Sequence, residues 1–318
     1  MENRDKLCVV VPCYNEEEVL PETVRRLSEK LRSLTDRGLV APESRMLFVD
    51  DGSRDRTWEL IREYHQKSPL VEGLKLAHNR GHQNALLAGL MEAKERYDLA
   101  VSMDADLQDD MDAMDEMVEK YREGCDIVYG VRNNRDTDTP FKRGTALAFY
   151  RLMNAMGAQT VYNHADYRLM SRRALEGLSQ FREVNLFLRG LVPMIGYKTA
   201  TVEYRRGERF AGQSKYPLGK MLNFAADGIT SLSVRPIRVM AGLGAALFGG
   251  GCLWLLVLLV LFLLGKGPAG VTVAIASVWT AAGLNLLGLG LIGEYLGRIY
   301  LETKARPRYL IEERLIGE

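Results

Sequence analysis

The sequence predicts an α/β fold: a mostly parallel, Rossmann-like sheet with helices on both faces, then membrane-surface helices and a two-helix transmembrane hairpin. Three observations carry this expectation. Strand-like and helix-like segments alternate four times between Leu7 and Ser102, the order that gives a parallel sheet covered on both sides. Each strand-like segment runs into polar or acidic residues. Two long stretches near the C-terminus, Val239–Gly265 and Gly267–Gly293, carry no charged residue.

The elements follow in order. Leu7–Val11 (LCVVV) is a β-rich run that stops at Pro12, so a strand gives way to a loop. Over Glu16–Leu34, Val19, Leu20, Val24, Leu27 and Leu31 recur at helical spacing. Met46–Val49 is a second strand ending in Asp50-Asp51-Gly52-Ser53, followed by a helix over Thr57–Tyr64. Val71–Leu76 is a third strand, Gln83–Glu95 a third helix, and Asp98–Ser102 a fourth strand that feeds MDADLQDD, residues 103–110.

In such a sheet, ligands bind at the carboxyl ends of the strands. Found there are Pro12-Cys13-Tyr14-Asn15-Glu16, then Asp50–Ser53, then His78-Asn79-Arg80-Gly81, then Asp104-Ala105-Asp106. One polar loop is ordinary; four in succession predict a binding crevice. The first strand is not followed by G-x-G-x-x-G, and no G-x-x-x-x-G-K-[ST] occurs, so dinucleotide and P-loop readings lack their phosphate turns. Four aspartates within residues 103–110 repel one another unless a cation sits among them. An N-cap and a solvated helical turn account for Asp109, Asp110 and Asp112, but not for Asp104 and Asp106. Hard oxygen ligands suit Mg²⁺ or Mn²⁺, which leave positions open for phosphate oxygens. His78, His82 and His164 match no zinc spacing.

The remaining composition is informative by position. The chain has 318 residues and a net charge of +1, and no nucleic-acid partner is expected. Cys8, Cys13, Cys125 and Cys252 lack paired spacing and fit reduced thiols in the cytosol. The N-terminus shows no signal peptide. Each uncharged run exceeds the roughly 20 residues that span a bilayer core. Arg235 and Arg238 precede the first run, and Arg298, Lys304, Arg306 and Arg308 follow the second. The positive-inside rule then expects two spans in the inner (cytoplasmic) membrane with both termini cytosolic. The expected division is a cytosolic catalytic domain over 1–216, amphipathic juxtamembrane helices over 217–238, two spans within 239–297 (about 239–265 and 268–293), and a cytosolic tail over 298–318.

VVVPCYNEEEVLPETV, FVDDGSRDRTWELI, NRGHQNALLAGL and MDADLQDD resemble, in that order, the motifs of glycosyltransferase family 2. ADYRLMSRRAL, RRGERFAGQSKYPLGKMLNFAADGITSLSVRP and GEYLGRIYLETKARPRY resemble the polyisoprenyl-phosphate branch, which holds bactoprenol glucosyltransferases and dolichol-phosphate mannose synthases. The likeness runs from about Lys6 to Leu310. It implies a GT-A type catalytic domain, a metal-bound nucleotide-sugar donor, a polyprenyl phosphate acceptor in the lipid bilayer, and a homo-oligomer, a tetramer. It further implies that Pro12, Tyr14, Glu16 and Asp51 line the nucleoside pocket with Asn79 and Gly81 nearby. Asp104, Asp106 and Gln108 match the metal-binding triplet. Arg132, Arg143, Arg209, Ser214 and Lys215 match positions around the donor diphosphate and acceptor phosphate, and Asp166 matches the acidic residue beside the reacting centre.

The chemistry of these residue types agrees. Negative charge builds on the leaving diphosphate, and a metal stabilises it without proton transfer. Two anionic partners must also be drawn together, which needs Arg and Lys; the cluster Arg205, Arg206, Arg209, Lys215 and Lys220 equally fits anionic lipid headgroups. A phosphate monoester is already largely ionised at neutral pH, its second pKa being about 6, so Asp166 is expected to position groups rather than deprotonate them. A plain ion pair with Arg168 or Arg172 is the alternative. UDP-glucose is the expected donor by resemblance; UDP-N-acetylglucosamine, a UDP-aminoarabinose derivative and GDP-mannose stay open. A polysaccharide synthase would carry Q-x-x-R-W and more spans, and a non-catalytic nucleotide-sugar binder would not need the D-x-D and basic set.

Overall fold

The structure, a computed structural model, describes residues 4–132, 164–184, 186–205, 207, 235–265 and 270–317. Strand β1 (Leu7–Cys13) is buried along its whole length and sends alternate side chains into two cores. Leu7, Val9, Val11 and Cys13 share one core with α1 (Leu20–Asp36), α2 (Thr57–Lys67) and α4 (Ala113–Arg122). Cys8 and Val10 share the other with α3 (His82–Arg96), α5 (Arg172–Ser179) and α6 (Leu188–Met194). Two covered faces are why the strand reads as an unbroken apolar run.

Strands β2 (Arg45–Asp50), β3 (Val71–Leu76) and β4 (Leu99–Ser102) join β1 in the parallel order β3-β2-β1-β4. The helix expected from Glu16 begins at Leu20, because Glu16–Val19 close a turn in which the N–H groups of Val19 and Leu20 both donate to the Glu16 carbonyl. Helix α3 lies unusually near the sheet. It presents Ala85, Ala88 and Gly89, and a Cβ on Gly89 would collide with the side chains of Val10 and Val49. That close approach brings the first residue of α3, His82, over the strand ends.

Among the described residues the sheet is mixed, with β6 and β8 running against six strands that share one direction. β6 (His164–Ser171) runs antiparallel between β4 and β5 (Ile127–Arg132), β7 (Thr199–Tyr204) lies parallel outside β5, and β8 (Ile311–Leu315) pairs antiparallel with β3. The order is β7-β5-β6-β4-β1-β2-β3-β8.

The C-terminal helices α7 (Arg235–Leu263) and α8 (Val271–Thr303) pack on one another. Among the described residues, no helix is long and apolar enough to cross a membrane. This corrects the expected localisation as a two-span protein of the cytoplasmic membrane. Uncharged runs bound a span but do not make one, and here the helices run past them into charged residues. α7 starts at Arg235, and α8 continues through Glu294, Arg298 and Glu302. The end of α8 docks on the sheet domain instead: Glu302 accepts the Val184 N–H at 2.7 Å, and beyond the helix Arg308 donates to the Phe181 carbonyl at 2.6 Å. Residues 217–234, expected as membrane-surface helices, lie outside the described residues, as do Arg143, Arg209, Ser214 and Lys215.

Candidate active site

The ends of β1, β2 and β3 enclose a cavity of about 310 Å³ lined by Tyr14, Gly52, Ser53, Lys75, His78 and Asn79, among others. Its walls are loops tied to each other. Asn15, at φ +54°, offers its N–H to Ser53 Oγ (2.9 Å) and accepts the Arg54 N–H on Oδ1 (2.8 Å). Asp51 accepts the N–H groups of Arg80 (2.7 Å) and Gly81 (2.8 Å), one on each oxygen. Burial pushes the Asp51 carboxyl up despite those two bonds. Gly52, at φ +67°, lets the β2 loop lie on the β3–α3 loop, since a Cβ there would stand 2.7 Å from the Asn79 nitrogen.

Of the residues assigned to a nucleoside pocket, Tyr14 and Asn79 line this cavity. Pro12 is buried inside β1, and Glu16 sits in the turn before α1 with its N–H on Thr57 Oγ1. Asp51 is latched behind the wall, and Gly81 precedes α3 at φ +85°.

The second part of the site is the aspartate loop after β4. Burial, together with repulsion from Asp109, Asp166 and Asp106, raises the Asp104 carboxyl to about 6 against the opposing pull of His82. Asp106 accepts the Gln108 N–H on Oδ1 at 3.2 Å, across Leu107 at φ +58°. A bulky side chain in the left-handed region is uncommon and marks strain of the kind binding loops hold. Gln108 donates its side-chain amide to the Gly207 carbonyl at 3.4 Å, and Gly207 donates its N–H to the Gln108 carbonyl at 2.8 Å. The segment after β7 is thereby fastened to the aspartate loop. Asp109 is buried; Tyr204 donates to its Oδ1 at 2.5 Å, and Arg132 stands 3.5 Å from the same oxygen. Arg132 also donates from Nε to the Tyr204 hydroxyl at 3.1 Å.

Among the described residues, no group of three His, Cys, Asp or Glu is placed to hold a metal ion. What the loop offers is a smaller set: two hard carboxylates, Asp104 and Asp106, in a field negative enough to raise one of them. Hard carboxylates of that kind would suit a Mg²⁺- or Mn²⁺-type cation.

The third part centres on Asp166 of β6. Its Oδ1 accepts from Arg168 Nη2 at 2.7 Å and Arg189 Nε at 3.2 Å, and its Oδ2 accepts from Arg189 Nη2 at 3.0 Å. Burial opposes the charge, but Arg189, His82 and Arg168 outweigh it and hold the carboxyl well below the usual range. His82 Nε2 stands 3.7 Å from Asp166 Oδ2 and 3.6 Å from Asp104 Oδ1, bridging the two carboxylates. Burial pulls the imidazole down, yet the neighbouring carboxylates of Asp166 and Asp104 leave it raised. Arg168 is itself almost fully buried. Arg172 instead pairs with Asp98 at 3.6 Å.

Several site residues escaped the sequence reading, Arg189 and His82 among them. Arg189 carries no motif and reaches Asp166 only because α6 packs beside β6. His82 follows the strand-end residues His78–Gly81 directly, and that adjacency was the available signal.

The sequence profile described as Glycosyl transferase family 2 matches residues 8–179. The uncharacterized glycosyltransferase YkoT of Bacillus subtilis is 54% identical over 312 residues, covering 98% of this chain and 93% of the relative. The bactoprenol glucosyl transferase of Shigella phage SfX is 38% identical over 319 residues, covering 97% and 99%. Among solved structures, the mannosyltransferase PcManGT from Pyrobaculum calidifontis, in complex with GDP-Man and Mn²⁺, superposes with a TM-score of 0.46 at 18% identity, covering 96% of this chain and 88% of that one.

Proposed function

The chain belongs to glycosyltransferase family 2, is a glycosyltransferase with a GT-A-like mixed sheet, and we propose that it moves one sugar from a nucleotide-sugar to polyprenyl phosphate with inversion at C1. UDP-glucose is the proposed donor. An oxygen of the acceptor phosphate attacks C1, the C1–O bond to the diphosphate breaks, and the nucleoside diphosphate leaves with the electron pair. No proton needs to move.

The observation that supports this reading is the convergence of the 310 Å³ cavity, the Asp104–Asp106 loop and the Asp166 cluster along the ends of β1–β4 and β6. In this reading Tyr14 and Asn79 contact the nucleoside, while Pro12, Glu16, Asp51 and Gly81 shape the wall around it. Asp104 and Asp106, with Gln108, hold Mg²⁺ or Mn²⁺. When bound, the cation supplies neutralisation of the leaving diphosphate. Arg132, Arg143, Arg209, Ser214 and Lys215 serve the donor diphosphate and acceptor phosphate, within a catalytic unit over residues 1–216. The assembly is proposed to be a homotetramer.

Asp166 takes the role of a positioning residue. A carboxylate held ionised by two guanidinium groups is a weak base, and a phosphate acceptor does not require one. Its fixed charge instead orients Arg189 and His82 toward the reacting groups.

The experiment combines the purified protein in detergent with undecaprenyl phosphate, Mg²⁺ or Mn²⁺, and a panel of UDP- and GDP-sugars. Lipid-dependent release of nucleoside diphosphate, abolished by EDTA, is the expected result. Asp106→Asn should lower that release by about 100-fold or more, on the order of what removing a key electrostatic group takes from a transferase. Full activity in a folded Asp106→Asn protein would overturn the cation assignment.

A further inference from the structure

We propose that Lys75 and Glu312 together read the nucleobase of the donor, selecting bases that present an imide edge, a carbonyl beside a ring N–H, as uracil and guanine do. This inference rests on the donor reading above. It starts from an irregularity in the edge of the sheet. Strand β8 pairs Lys75 with Glu313 and Leu76 with Ile311, so Glu312 is the extra residue of a β-bulge. A bulge re-aims the side chain it releases, and bulges gather at sheet edges and beside active sites. Here the released carboxylate accepts from Lys75 Nζ at 2.9 Å, and both residues line the 310 Å³ cavity.

The pair sets a cation donor and a carboxylate acceptor side by side on the cavity wall. Neither is used up by the other: an ammonium has three donors and a carboxylate about four acceptor sites. An imide edge matches this wall group for group. Its ring N–H donates to Glu312 and its carbonyl accepts from Lys75. With the ribose held in the same place, cytosine and adenine set an exocyclic amine and an unprotonated ring nitrogen at these positions, so both contacts become repulsive or unpaired. In the free chain the Lys75 side chain is 25% and that of Glu312 49% exposed, and a bound base that covers them makes an unmatched edge costly. Among the described residues that line the cavity, Glu312 is the one that carries a carboxylate.

The test is isothermal titration of the full chain with UDP, GDP, CDP and ADP. The wild-type chain should bind UDP or GDP at least about tenfold more tightly than CDP and ADP, the scale one well-placed pair of base contacts supplies. The two imide nucleotides in the panel distinguish a uridine site from a guanosine site. Glu312→Ala should collapse the preference to within about threefold, and Glu312→Gln, which keeps an acceptor oxygen, should restore part of it. Lys75→Met, on β3 rather than β8, should collapse it in the same way and guards against a variant that merely loosens the edge strand. Glu312→Ala and Lys75→Met proteins that fold and keep the wild-type ratio would overturn the inference, as would a wild-type preference for CDP or ADP; both outcomes leave sugar transfer itself standing. A wild-type chain that binds none of the four would remove the donor reading and this one with it.

Discussion

Replacing Arg189 by methionine takes two of the three guanidinium contacts off Asp166 and leaves the 2.7 Å contact of Arg168. Removing one partner of a buried ion pair destabilises by about 3–5 kcal/mol. Arg168 remains, and the Arg189 side chain is 31% exposed, so the expected loss at pH 7 is about 2 kcal/mol. The pH dependence gives a second reading of the same contact. Asp166 is held well below its ordinary value in the folded chain. Its ionisation therefore stabilises the fold above the unfolded value of about 4, and that stability is lost only as pH falls through the lower, folded value. In the Arg189→Met chain the folded value moves back toward the ordinary one. The gap between the two proteins should stay level from pH 7 to about 5 and close below about 4. Urea unfolding followed by tryptophan fluorescence measures both. A loss below about 0.5 kcal/mol at pH 7, or a gap that widens on acidification, would refute the account of Asp166 as an ion held by Arg189.

Other consequences are as direct. Gly52→Ala should weaken nucleotide binding and destabilise the fold by about 1–3 kcal/mol, because the residue sits at φ +67° against the Asn79 backbone; thermal unfolding and titration with a nucleoside diphosphate check both. Cys8 and Cys13 are fully enclosed, and burial pushes both thiols well above their ordinary value, so a thiol reagent should reach neither until the chain unfolds. Glu313→Ala removes the partner of Trp58 Nε1 at 3.1 Å and of Arg62 at 2.8 Å. It should shift the Trp58 emission and lower stability by about 1 kcal/mol, less than a fully buried charged hydrogen bond because Glu313 is partly exposed.

How much of this was legible follows from range. The first four strands and three helices were readable because each is decided locally, by apolar runs that lead into Asp50–Ser53, His78–Gly81 and Asp104–Asp106; β1 outran its expected stop, continuing through Pro12 to Cys13. Their strand-end residues, and with them the cavity, came with that reading. The mixed character of the sheet was not readable: β6 enters between β4 and β5 through pairings such as Val101 with Leu169 and Val128 with Leu169, and no local periodicity encodes such a neighbour. β8 was invisible for a related reason. IEERL is short, mostly charged, and meets its partner β3 some 235 residues earlier in the chain, Leu315 opposite Gly73 at the far end of the pairing. The uncharged runs misled in the opposite sense, since the absence of charge says where a span is permitted and not how the helices end. Asp166 stood out by its motif and its ion pair with Arg168 was legible two residues away, but Arg189 and His82 are brought in by the packing of α6 and α3.

The placement of β8 has a consequence for how the molecule is made. A chain leaves the ribosome N-terminus first and its early segments begin to fold at once. β1–β4 can therefore assemble while β3 still presents an open row of backbone donors and acceptors, the kind of edge that recruits other chains. The strand that covers it lies at residues 311–315 and emerges about 235 residues after β3, carrying Glu312, Glu313 and Arg314 to an edge that has waited through that interval. A frameshift or stop codon a few positions before Ile311 would thus strip the flank of a sheet begun at Leu7, and cells expressing it should accumulate aggregate rather than a shortened soluble product.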